Sequence, residues 1–201
     1  MTEVIANGLL NFWFGALDSD GVASAAKQKQ WFVKDDAFDK SIKSQYGSLM
    51  ELAPMGAYDR WSLTPEGRVA LIVLLDQLPR NLYRGNARSF YTDAKAQFQN
   101  RKAVEAGEHL SLPLSYAYFV LMPLMHAEHI EAQDECVRHF TQLRDRESGR
   151  GRIMMENALT FAHTHRDIIA RFGRFPHRNF EMNRESSAAE IEFLANGGPT
   201  F

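Results

Sequence analysis

The run Val69-Ala-Leu-Ile-Val-Leu-Leu-Asp-Gln-Leu78 constrains this chain more than any other. Thr64-Pro65-Glu66 stands just ahead of it. That order of a cap, a proline at the first helical position and an acid in the first turn marks a helix start. The helix it opens is apolar nearly all round, so it needs neighbours on every side and belongs at the centre of the molecule. Pro79 biases Leu78 away from helical angles. The helix is therefore expected to end or kink there, with Asp76 and Gln77 in its last turn beside an Arg80–Arg84 loop.

The rest of the chain repeats the helical period. Val4, Ile5, Leu9, Phe12 and Trp13 form a stripe that Thr2 can cap and Gly15 can end. A second helix is expected over residues 24–33. Asp35 or Asp36 opens a third, with Phe38, Ile42, Tyr46 and Leu49 three to four apart. Residues 53–61 read as a connection, and Trp61 there could line a groove. Thr92-Asp93 opens a helix ending near Gly107. Residues 112–125 form another, interrupted at Pro123, and 131–146 the next. Gly149-Arg-Gly151 reads as a turn before a helix over 153–172 that Gly173 ends. Ser187-Ala-Ala-Glu190 is a capping box for a last helix that stops at Gly197-Gly198. No stretch alternates with the period of a strand. The expectation is one all-α domain over 1–201, a stack of about nine helices in antiparallel pairs, built as a bundle or a solenoid. No 34-residue repeat is visible.

Composition narrows the class of function. Of the 201 residues 45% are apolar and 24% charged, which suits a packed core rather than disorder. A net charge of −2 exerts no global pull toward nucleic acid or acidic membranes. Cys136 is the single cysteine, so no intrachain disulfide can form. The start Met1-Thr-Glu-Val lacks basic residues, and Asn7 and Gly8 break its apolar run, unlike a secretory signal. The longest apolar stretch, residues 116–125, is too short to cross a bilayer. The expectation is a cytoplasmic protein with no nucleic-acid or membrane partner.

Two polar stretches carry the candidate chemistry. Arg171-Phe-Gly-Arg-Phe-Pro-His-Arg-Asn179 packs three arginines, a histidine and an asparagine between aromatic anchors. Asp76-Gln-Leu-Pro-Arg-Asn-Leu-Tyr-Arg84 answers it, again with a proline and an Arg-Asn pair. We expect them to meet in one polar site. Guanidinium forks hold carboxylate or phosphate at two points, so Arg80, Asn81, Arg84, Arg171, Arg174, Arg178 and Asn179 are the candidate ligand-binding set. His126 and His177 are the candidate proton carriers, with Asp76 and Glu128 as orienting carboxylates or internal counter-ions.

No metal or cofactor is expected. His126 and His129 lie three apart, where the helical zinc pattern places histidines four apart, and His163 and His165 fall on different helix faces. His129, His139 and His163 read as ordinary polar-face residues. Cys136 reads as a core thiol, and no nucleophile elbow or phosphate-cradling glycine loop occurs.

Three stretches taken together carry a resemblance: Leu74-Leu-Asp-Gln-Leu-Pro-Arg-Asn-Leu-Tyr-Arg-Gly85, Leu121-Met-Pro-Leu-Met-His-Ala-Glu128, and the Arg171–Asn179 string, joined by Leu10-Asn-Phe-Trp-Phe-Gly15. With them the chain resembles a bacterial family of unknown function placed in the tetratricopeptide-repeat-like helical superfamily. Leu78 and Ala127 stand where a phenylalanine and a serine would be expected. The resemblance implies an all-α, repeat-like fold and no particular reaction. Three functions follow from the residues. The arginines bind an anionic small molecule, with or without catalysis; or a helical-repeat scaffold receives an acidic peptide; or the polar motifs are architectural.

Overall fold

The computed structural model describes residues 2–201. The chain is all-α. Its helices are α1 (Thr2–Phe14), α2 (Ala25–Phe32), α3 (Asp36–Leu52), α4 (Pro65–Ile72), α5 (Leu78–Leu82), α6 (Asp93–Glu105), α7 (Leu114–Met125), α8 (Ile130–Arg146), α9 (Gly149–Phe172) and α10 (Ala188–Ala195). One bridge, Leu17 with Ala23, is the only extended pairing among the described residues.

Two helices make the centre. Every residue from Val69 to Leu75 is buried, as the all-round apolar run requires. Along α7 only Tyr116 reaches the surface. Helices α1, α6 and α8 pack around this pair, and α8 with α9 forms the most extensive contact in the molecule. Two residues join α8 to α9, so the pair runs antiparallel. Aromatic side chains lock the N-terminal third: Phe119 meets Phe14 at 5.3 Å and Trp31 at 4.7 Å, both edge-on. The Trp31 indole N–H donates to the Trp13 carbonyl at 2.9 Å. Trp61 is buried in this core.

Three local expectations give way. The helix does not end at Pro79. Residues Val73–Gln77 widen into a π turn, in which the Leu78 N–H donates to the Val73 carbonyl, and α5 carries the chain on through the proline. The cause is steric. A helical proline lacks an N–H and its ring crowds the carbonyl four residues back, here that of Leu75. The wider turn relieves that carbonyl, and the Thr92 hydroxyl, 17 residues away, donates to it. Likewise α7 runs unbroken through Pro123. The third case is Gly149-Arg-Gly151, which is the first turn of α9 rather than a connection.

A smaller apolar cluster of Ile168, Ile169 and Phe175 anchors the C-terminal region. Gly173 ends α9 at φ 70°, donating to the Ile169 carbonyl at 2.8 Å. The chain thereby turns back and lays residues 175–179 against the end of α7.

Candidate functional site

The π turn and the reversal after α9 both line a cavity of about 440 Å³. One wall is apolar, from Trp31, Phe32, Tyr118, Met122, Met125 and Phe161. The other is polar, from Arg80, Asn81, Arg84, His126, His177 and Arg178. The two polar stretches of the sequence therefore meet.

Asp76 stands behind the polar wall with no solvent exposure. Its carboxylate receives His126 Nδ1 at 2.8 and 3.0 Å, Arg80 at 3.2 Å, and the Gln77 amide. Burial works against the ionised form, but His126 and Arg80 outweigh it and hold Asp76 below the usual carboxylate range. His126 moves down as well, chiefly through burial and then through the Arg80 cation, so its ring is neutral at pH 7. A neutral ring beside an ionised carboxylate carries its proton on Nδ1 and donates it to Asp76. Nε2 is then a lone-pair acceptor. It has no protein hydrogen-bond partner among the described residues and is not sealed from the cavity.

Arg80 is already committed. Its guanidinium spans the Asp93 carboxylate at 2.8 and 2.9 Å and donates to the Asp76 carbonyl at 2.8 Å. Arg178 is not. It lies between the rings of Phe90 and Phe175, at 4.7 and 4.4 Å, and donates once, to the His126 carbonyl at 3.1 Å. The nearest carboxylate, Asp93, is 3.8 Å away, and the buried Nε has no partner among the described residues. Burial and the adjacent Arg80 lower its pKa to about 10, so it stays charged at neutral pH. Arg84, at the rim, holds Asp39 only at 3.4 Å.

Several expected site residues lie elsewhere. Glu128 lies outside the cavity. It clasps Arg184 at 2.6 and 3.0 Å and accepts the Phe175 N–H at 2.8 Å, which pins the reversal after α9. Arg174 pairs with Glu190 at 2.6 and 2.8 Å and so ties α10 down. Arg171 is exposed over the rings of Phe172 and Phe193. Asn179 bonds Ser186 at 3.0 Å. His177 does line the cavity, and burial followed by Arg178 lowers its pKa to about 4.

The structure adds residues the sequence reading passed over. Asp93, read only as a helix start, is the main partner of Arg80. His165 joins the cavity wall, its Nδ1 bonded to the Phe161 carbonyl at 2.8 Å. A signal for it existed, since His165 continues the buried α9 stripe of Ala158, Ala162 and Ile169. His139 is buried against His109 at 4.7 Å rather than placed on a polar face. Cys136 is buried and burial raises its thiol pKa, so it is no nucleophile. Among the described residues no three His, Cys, Asp or Glu side chains are grouped to hold a metal ion. No helix among them is long and apolar enough to cross a membrane.

Fold and site together define an all-α protein with a carboxylate–histidine pair at the wall of a polar–apolar cavity. Residues 9–198 match the family described as "Bacterial protein of unknown function (DUF924)", and the chain belongs to that family. It is similar in structure to a protein of unknown function from Agrobacterium tumefaciens, with 32% identity and a TM-score of 0.82, over 98% of this chain and 100% of that one. No curated protein matches the chain.

Proposed function

We propose that the cavity binds a small anionic molecule and that His126, oriented by Asp76, acts on it as a general base. One observation carries the reading: His126 Nδ1 is fixed 2.8 Å from a fully buried carboxylate while its ring borders the cavity. This is how a histidine is set in one tautomer with its other nitrogen available for a proton. A volume of 440 Å³ suits a small molecule. Arg178 and Arg84 supply the under-compensated positive charge. Arg178 is also one of the groups that lowers the His126 pKa. An anion bound beside it offsets that charge and returns His126 toward the range where a base works best at neutral pH.

The scaffold reading, in which a tetratricopeptide-like stack receives an acidic peptide, is weaker on one count. Arg88 and Arg174 are already matched by Glu51 and Glu190 of the chain itself. The lone buried Cys136 supports a reducing, cytoplasmic setting.

The test is a thermal-shift series with phosphate monoesters and short carboxylates on wild type, Arg84→Gln and His126→Gln. Stabilisation should grow with anion concentration and shrink in Arg84→Gln, which leaves an exposed position altered and the fold intact. Absence of stabilisation by every anion, at concentrations that saturate ordinary metabolite sites, would sink the proposal.

A further inference from the structure

The cavity already holds a ring. Phe201 stacks on His165 with centroids 3.5 Å apart and planes 20° apart. Phe175 and His177 stand around it edge-on, at 6.3 and 5.9 Å. The floor is fixed, because the bond from His165 Nδ1 to the Phe161 carbonyl sets its plane. The occupant is held loosely. The last backbone hydrogen bond before it joins Gly198 to the Phe193 carbonyl. Among the described residues, 199–201 make no hydrogen bond to the rest of the chain, and Phe201 is 48% exposed. Phe175, one wall of this seat, also stacks on the Arg178 guanidinium at 4.4 Å. A flat seat and an under-compensated cation therefore share a wall.

We propose that the ligand is an aromatic carboxylate, whose ring takes the place of Phe201 on His165 while its anionic end meets Arg178 and Arg84. Residues 199–201 are then the gate that the ligand displaces. This rests on the anion-site reading above and adds the ring to it. The flat seat selects against an alkyl chain, which cannot stack. The Arg178 charge selects against a ring that carries an amine, although Glu181 also lines the cavity. Because the gate competes with the ligand, the apparent affinity is the intrinsic affinity multiplied by the fraction of molecules whose gate is open.

Calorimetric titrations on wild type and Phe201→Ala test this with three probes: 3-phenylpropionate, hexanoate and 2-phenylethylamine. 3-Phenylpropionate should bind about three- to tenfold tighter than hexanoate, the range expected of an aromatic contact beyond simple burial. Phe201→Ala should tighten 3-phenylpropionate severalfold and leave hexanoate unchanged. Circular dichroism confirms that the variant is folded. Equal affinities for the two acids, with no effect of Phe201→Ala, would overturn the ring seat and leave the anion site standing. Preference for 2-phenylethylamine would overturn the anion reading while keeping the ring seat. No binding of any probe to either protein would overturn both.

Discussion

Lowering the pH from 6.5 to 5 should destabilise this protein steeply, and histidines alone should be responsible. His109, His165 and His177 are held neutral by burial, with pKa values down at about 4, 3 and 4 against an ordinary 6.5. Below 6.5 the unfolded chain takes up protons that the folded chain refuses. Stability therefore falls with pH, at up to about 1.4 kcal/mol per unit for each group. Between pH 6 and 5 the three together should remove about 3 kcal/mol, a large share of the 5–15 kcal/mol typical of a domain. His126 and His139 move in the same direction. Carboxylates do not confuse this window. Glu190, held to about 2, contributes only a small loss in this window, because its unfolded carboxylate titrates around 4.5. The assay is urea unfolding followed by far-UV circular dichroism at half-unit steps of pH, on wild type and His177→Gln. The variant should lose about one proton from the slope. A urea midpoint that is flat from pH 7 to 5 would refute the reasoning, because it would mean these rings protonate freely in the folded state.

Two further substitutions probe the scaffold of the site. Arg80→Met leaves Asp76 and Asp93 facing each other without their shared cation, and should cost about 3–5 kcal/mol in urea unfolding. Ser187→Ala removes the capping box of α10 and should cost that helix about 1 kcal/mol, read as faster amide exchange confined to residues 188–195.

What could be read from the sequence was local. Thr64-Pro65-Glu66 and the Ser187–Glu190 box announced their helices, because a cap is satisfied within four residues. The all-round apolar run announced the centre. Partners distant along the chain were invisible. Arg80 pairs with Asp93 and Arg184 with Glu128, and nothing local to either arginine selects its partner. Glu128, a candidate site residue on sequence alone, therefore holds a turn instead. Pro79 brings a wider turn rather than an end, also for a non-local reason, since Thr92 takes the carbonyl that the proline leaves free. The meeting of the two polar stretches could be anticipated from their composition. That Arg178 and Arg84 are the loosely held cations of the set could not, because it depends on which carboxylates the fold brings near.

The π turn has a consequence in phase. Each of its bonds spans five residues where an α-turn spans four, so it stores one residue more than the helix needs. That surplus sets how α5 is rotated relative to α4 by about 100°, the angle one residue subtends. Asp76 lies within it and Arg80 beyond it. Deleting one residue from 73–75 would make the helix regular, leave α4 in register with α6 and α7, and swing both side chains away from His126 and Asp93. The carboxylate–histidine pair is thus positioned by a count, and a change in length there would undo what a substitution would only weaken.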